Sequence, residues 1–444
     1  MSRISNNIEI SAHFDPYRCS RCGFCLASCP TYRLEPLEPG SPRGRLIILN
    51  HLASGGSVTP AAAWFLDRCL GCRACESVCP AGIKPAREIL AGRPPSFPRS
   101  LSEGFLEWLW RFGCGKVIPR PAMLRLALTL LPLLRRTRLL RLVAFFPGFA
   151  PLGRQLEQIA ALLPAAPQPK GKRAHRFPSH GKEKYRVAFF TGCITEAALM
   201  PVNDAAIELL RHAGCTVVVP PAQTCCGALS HHCGDREAAI RLARRNLAAF
   251  EAAEPFDFVT GTAAACVVHL QEYPELLALS PAERNQAQRF SSRVRDFAGL
   301  LRELEPAFVP VSTGRVAYHE SCLLRHGANS GGIRQILSTM PGVEPVPAPH
   351  LGCCGSAGGY FFRHSEVALG LLDAEITALK NTGACTVVTD NPGCLLFLRY
   401  GLDRHNMDKI RVLHLAEFLK PRRSAEQAQI SVMKGAGYGY YLIL

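Results

Sequence analysis

Cysteine is the residue type in this chain best placed to do chemistry. Cys19, Cys22, Cys25 and Cys29, followed by Pro30, make C-x2-C-x2-C-x3-C-P. Cys69, Cys72, Cys75 and Cys79, followed by Pro80, repeat that spacing. Three thiolates spaced this closely can wrap one face of a [4Fe–4S] cluster, while the fourth reaches a second cluster. The spacing therefore predicts one cluster on Cys19, Cys22, Cys25 and Cys79, and another on Cys29, Cys69, Cys72 and Cys75. The proline after each fourth cysteine turns the chain away from the site. Zinc knuckles and disulfides are the competing readings. Zinc sites pair a CxxC with a distant second pair of ligands, which the doubled run does not resemble. The chemistry expected is transfer of single electrons.

Eight more cysteines form a second pattern. RVAFFTGC ends at Cys193, CCG follows at Cys225–Cys226–Gly227, and FVTGTAAAC ends at Cys266. RVAYHESC then ends at Cys322, CCG returns at Cys353–Cys354–Gly355, and VVTDNPGC ends at Cys394. In both copies 39 residues separate the pair from the last cysteine, and 31 and 30 separate the first cysteine from the pair. Such matched spacing marks an internal duplication. The bland reading is buried apolar cysteines. Recurrence in register favours a metal or redox role for at least one copy. Cys114, Cys215, Cys233 and Cys385 have no counterpart and read as core or surface thiols. His231, His232, His319 and His350 flank the CCG blocks and read as hydrogen-bonded structural histidines rather than ligands. Arg43 and Arg45 could tune a cluster by charge or lie on a solvated loop.

The elements that must position these residues are legible in outline. Arg186–Phe190, Thr216–Val219, Phe256–Thr260, Arg315–Tyr318 and Thr386–Thr389 read as short apolar strands. Asn203–Ala213, with a stop at Gly214, reads as a helix, as do Ala238–Ala249 and Glu366–Lys380. Strand–helix–strand order predicts parallel α/β layers. The cysteines then fall at strand ends, where open α/β sheets place ligands. The fold class expected is multidomain α+β. It divides into a two-cluster domain over 1–100, a basic helical connector and linker over 101–184, CCG repeats over 185–310 and 311–420, and a tail over 421–444.

Length and charge bound the rest. The chain has 444 residues, a net charge of +16 and 20 cysteines. Met1–Phe14 holds no apolar stretch of signal-peptide type, and free thiolates suit a reducing cytoplasm. The apolar region Pro121–Leu152 is interrupted by arginines and by Pro132 and Pro147, so it is too broken to span a bilayer. It reads as a core helix under a basic surface, with an interfacial helix as the alternative. The positive charge could serve solubility, an acidic partner or an anionic membrane. No nucleic-acid module is visible, and no G-x-G-x-x-G dinucleotide fingerprint.

CSRCGFCLASCPTYRL, PRGR, RCLGCRACESVCPAGI and HLGCCGSAGGY together resemble the iron–sulfur subunit of bacterial glycolate oxidase, from about Arg18 to Leu419. The resemblance implies a helical ferredoxin domain of the fumarate-reductase type. It also implies FAD-bearing partner subunits that oxidise glycolate to glyoxylate, with electrons passed on to a quinone at the inner face of the plasma membrane. Related architectures serve lactate, glycerol-3-phosphate and heterodisulfide reduction. The fullest CCG motif ends in CxxC. Here Ala263 and Asn391 stand at the first of those positions, which leaves four thiols per copy and room for an additional cluster.

Overall fold

The computed structural model describes residues 18–93, 104, 108–110, 112–137, 150–162, 173–253, 255–277, 280–327, 331–348 and 352–421. His350, Pro147 and residues 422–444 lie outside them. The chain is mixed α/β, with a helical N-terminal part and two α/β units.

Residues 18–93 are helical throughout: α1 (Phe24–Ser28), α2 (Pro30–Leu34), α3 (Pro42–Ala53), α4 (Pro60–Asp67), α5 (Ala74–Ser77) and α6 (Pro85–Ala91). Prolines at the first turn open α2, α3, α4 and α6, where a missing N–H costs nothing. The Ser41 and Thr59 hydroxyls accept from Gly44 and Ala62 N–H to cap α3 and α4. Leu46, Leu49, Leu52, Leu66 and Ile89 pack around Cys69 as a small core. That core fixes both cysteine loops against one set of helices.

Among the described residues of the connector are the helices α7 (Pro121–Arg136) and α8 (Ala150–Leu162). On α7, Leu124 and Leu128 are buried against Ala197. Met123, Leu126, Leu130 and Leu133 are exposed on the same helix. The expected core helix is thus only half buried, because its leucines are spread over more than one face.

The first CCG unit is a four-stranded sheet. Its strands are β1 (Arg176–Phe177), β2 (Tyr185–Phe189), β3 (Cys215–Val218) and β4 (Phe258–Thr260), in the order β1-β3-β2-β4. β2 runs parallel to both β3 and β4, while β1 is antiparallel. Gly214 takes φ +87° between the helix Met200–His212 and β3, a turn that disfavours a side chain. β1 lies in the stretch read as linker, so the linker contributes an edge strand.

After β5 (Phe308–Pro310), the second unit holds β6 (Gly314–His319), β7 (Val343–Pro347), β8 (Thr386–Thr389) and β9 (Arg411–His414) in the order β7-β6-β8-β9, all parallel. The place of β9 is reduced in the first unit to a single bridge, Val259 with Val294. β10 (Leu419–Pro421) pairs antiparallel with β5, tying the end of the second unit to the end of the first. One apolar core runs through both sheets and includes Leu70, Cys72 and Ala74 of the N-terminal part.

The helical part is seated against both units. Arg73 and Arg87 pair with Glu272, and Arg87 reaches Glu275 at 3.0 Å. Arg93 donates to the carbonyl of His232 at 2.9 Å. On the other side Asp67 receives Arg363 and His364, and Tyr360 Oη donates to the Arg68 carbonyl at 3.3 Å.

Candidate metal centre

Two loops carry the N-terminal cysteines, and their backbones match. In the first, Arg21 and Gly23 take φ +57° and +87°. In the second, Gly71 and Arg73 take +67° and +66° at the same places relative to the cysteines. A left-handed residue on either side of the middle cysteine curls the peptide N–H groups inward, the kind of nest that holds an anionic group. Each loop spends one glycine on this and accepts strain at an arginine.

Cys19, Cys22, Cys25 and Cys79 line one small cavity together with Cys75 and Arg43. Cys29, Cys69, Cys72 and Cys75 are buried side by side. Burial pushes the Cys72 thiol well up, and the charges of Cys353, Cys29 and Cys69 add to it. Cys75 is raised by burial and then by Cys72 and Cys69. Buried, mutually repelling thiolates need a compensating cation, which a bound iron–sulfur cluster supplies. The donor set, its grouping and the curled loops all fit such a cluster.

Arg45 is buried rather than on a solvated loop. Its guanidinium donates to the Phe65 carbonyl at 2.8 Å and to Thr31 Oγ1 at 3.1 Å, and lies 3.9 Å from Cys29 Sγ. Arg43 is partly exposed and paired with Glu38 at 2.6 Å.

The eight CCG cysteines line a single cavity of about 680 Å³. The first and last thiols of each copy sit in the first turns of short helices that leave the parallel strands, Cys193–Ala198 and Ala264–Gln271, then Cys322–Arg325 and Pro392–Arg404. Cys193 donates to Cys225 at 3.7 Å, Cys322 to Cys353 at 3.9 Å, and Cys354 to Cys394 at 3.6 Å. The hydrogen bond from Cys193, then that from Cys226, draws Cys225 well below its ordinary range. Cys353 is drawn down in the same way by Cys322 and Cys354. Cys193, Cys226, Cys322 and Cys354 are held well up as the donors. Each copy thus holds its own thiol network, built on the same pattern.

They differ behind it. His319 Nδ1 lies 2.7 Å from Glu375 Oε1, with both side chains 1% exposed. Burial alone would push the imidazole down, but Glu375 and the contact with Cys394 hold it well above its ordinary value. The ligand atoms of His319, Cys354 and Cys394 lie within 4.8 Å of one another. The Cys394 thiol falls to about 5, through the Cys354 hydrogen bond and then, against burial, through His319. The first copy has Phe190 three residues before its first cysteine, and Leu247 where Glu375 stands. His319 is hydrogen-bonded, and one of its partners is the Cys394 thiol, a contact that sequence alone does not give. Laying the two copies side by side exposes the His319–Glu375 substitution.

The other singled-out residues fall elsewhere. Cys114 and Cys233 lie 3.8 Å apart, and Trp110 donates to Cys233 at 2.8 Å. Cys215 is on β3, where burial pushes its thiol up to about 12. Cys385 is exposed. His231 and His232 are lowered to about 4 and about 3, mainly by burial. Ala263 and Asn391, at the truncated CxxC positions, both line the shared cavity. Asn391 Nδ2 lies 3.5 Å from Cys394 Sγ, and its Oδ1 accepts from Ala265 N–H across the two copies at 3.4 Å.

Comparison with known proteins agrees with this architecture. Residues 15–83 match the family described as 4Fe-4S dicluster domain. Residues 187–271 and 316–399 each match the family described as Cysteine-rich domain. A Bacillus subtilis (strain 168) protein named "Probable glycolate oxidase iron-sulfur subunit" is 37% identical over 90% of this chain and 92% of its own length. The "Glycolate oxidase iron-sulfur subunit" of Escherichia coli (strain K12) is 32% identical over 85% and 88%. "Lactate utilization protein A" of Exiguobacterium sp. is 27% identical over 52% of this chain and 96% of its own length. With two curved thiol loops, a duplicated cysteine-rich unit and relatives matched over most of both chains, the chain belongs to the family of glycolate oxidase iron–sulfur subunits.

Proposed function

We propose that the chain carries electrons for a complex in which FAD-bearing partner subunits oxidise glycolate to glyoxylate. Glycolate gives up two electrons and two protons in that step, and the chain takes the electrons on toward a quinone. Cys19, Cys22, Cys25 and Cys79 hold one [4Fe–4S] cluster, and Cys29, Cys69, Cys72 and Cys75 hold the other. When bound, the clusters supply one-electron transfer at a potential set by nearby charge and hydrogen bonds. The two-cluster part, the connector and the two CCG repeats act as successive parts of one route. The CCG thiols offer room for further metal. The protein works at the cytoplasmic membrane face, where the exposed leucines of α7 and the net charge of +16 favour an anionic surface. Glycolate is preferred to lactate because the two glycolate relatives match most of the chain and the lactate relative about half.

One observation carries this reading. The N-terminal thiols adjoin one another and the second CCG copy: Cys29 raises Cys25, Cys353 raises Cys72, and Cys72 raises Cys322. Groups arranged for separate structural jobs would not need to adjoin.

The test is the complete complex, purified without oxygen with its flavin-bearing partners. Glycolate should bleach the visible iron–sulfur absorbance, and dithionite should bleach it further. Iron near eight per chain indicates two clusters, and twelve or sixteen places metal in the repeats as well. An absorbance that dithionite bleaches and glycolate leaves untouched would refute glycolate as the electron source.

A further inference from the structure

We infer that the cavity shared by the two CCG units is a binding site for an isoprenoid-type quinone, which is reduced within this chain. The inference rests on the electron-carrying reading above and gives its acceptor a location.

The cavity has the size and lining such a ring needs. Its volume is about 680 Å³, within the range of small-molecule sites. Part of the wall is apolar: Leu124, Ala127, Leu128 and Leu131 of α7, with Leu156 and Ile159 of α8. All eight CCG cysteines line it too, with Cys193 packed beside Leu124 and Leu128. Polar groups are the smaller part of the lining and include Asp67, Gln155, Arg363 and His364. A side-chain carbon on Gly393 would come within 3.1 Å of Ser356 Oγ and 3.3 Å of Asn391 Nδ2. Ser356 Oγ therefore stands beside Gly393 as a hydroxyl donor, next to Asn391 Nδ2, which lies 3.5 Å from Cys394 Sγ. A quinone carbonyl accepts such bonds, and its apolar ring and tail match the leucine wall. A hydroxy acid, small and anionic, would be a poor guest for that wall.

The helix forming this wall also bears Met123, Leu126, Leu130 and Leu133 on its exposed face. That face would rest on a lipid surface, the source from which an apolar molecule reaches the cavity. Reduction adds two electrons and two protons to the quinone. Each ring carbonyl becomes a hydroxyl and the ring becomes aromatic. The electrons come from hydroxy-acid oxidation in the partner and the protons from solvent.

Trp64 and Trp110 line the same cavity and report on its contents. The oxygen-protected full chain is titrated with decylubiquinone while its tryptophan fluorescence is followed. Saturable quenching is expected in the wild type. Ala127→Phe, which fills the leucine wall, should weaken that binding tenfold or more. Leu156→Gln, which makes it polar from the other helix, should do likewise and covers the chance that the first variant does not fold. In the complete complex, glycolate-driven reduction of decylubiquinone should fall in parallel. Saturable binding that both folded variants leave unchanged overturns the site, as does a wild type showing no saturable quenching. Glycolate-driven reduction of a soluble dye by the wild-type complex tests the underlying reading separately. Dye reduction with no quinone binding sinks this inference alone.

Discussion

His319 is the residue that most separates the two CCG copies. Its contact with Cys394 places a donor and, with Glu375 behind it, a positive charge beside the second copy's thiols. The first copy offers Phe190 there. Positive charge and hydrogen bonds favour the reduced, more negative state of a thiolate-held centre. His319→Phe should therefore lower the potential of any metal centre in the second copy, measured by redox titration with electron paramagnetic resonance. A charge-assisted hydrogen bond contributes about 1.5–3 kcal/mol. At 59 mV per tenfold for one electron, its full loss is roughly 60–130 mV. Arg45, buried beside Cys29, should act in the same sense on the N-terminal centre. A second residue-scale prediction concerns pH. His414 is buried, lowered to about 4 by burial, and its Nε2 lies 2.8 Å from the Thr262 carbonyl. A histidine whose folded pKa is depressed binds its proton in the unfolded chain first. Stability is then fully present above the ordinary value of about 6.5 and is lost as pH falls toward about 4. His414→Gln should flatten the decline of Tm across that window, even if Tm at pH 7.5 is lower by several degrees.

Elements show where the pattern of residues was informative. Four of the five expected strands form within a residue or so of their expected bounds, and the fifth, Phe256–Thr260, starts two residues late as β4, because each is a short apolar run between turn residues. β7 escaped notice for a physical reason. It reads Val-Glu-Pro-Val-Pro, and prolines disqualify a central strand, but β7 is an edge where a missing N–H is harmless. β1 is two residues within a Pro- and Lys/Arg-rich stretch, which no periodicity can mark. α7 was legible as apolar and basic, yet which face it buries depends on Ala197, far along the chain. Its exposed stripe yields a prediction. Leu126→Glu with Leu130→Glu should cut binding to vesicles rich in phosphatidylglycerol by an order of magnitude or more in a flotation assay. Tm should hardly change, since both side chains lie outside the core. Wild-type binding should weaken as salt is raised.

At the scale of the molecule, the candidate site was half visible. The eight N-terminal thiols and both CCG sets could be named, since spacing alone groups them. That all eight CCG thiols share one cavity, and that the second loop is pressed against the second copy, could not be seen. Those facts depend on contacts such as Arg73 with Glu272 and Asp67 with His364, between residues far apart in sequence. No local pattern encodes such pairings. The Arg73–Glu272 pair is largely buried, at 8% and 18% side-chain exposure. Removing one partner strands a charge, at a cost of about 3–5 kcal/mol. Glu272→Ala should therefore lower Tm by several degrees. It should also loosen the N-terminal part from the first unit, seen as faster hydrogen exchange around Arg87 and Arg93.

The two curled loops have a consequence for how the protein ages. Arginine sits badly in a left-handed bend and stays there only while something inside the curl rewards it. Oxygen strips such contents away. A spoiled copy should let its bends spring open and offer the peptide after Arg73 to trypsin, while fresh copies resist. Quality control would then need no dedicated tag: the same contortion that seats the cargo announces its loss.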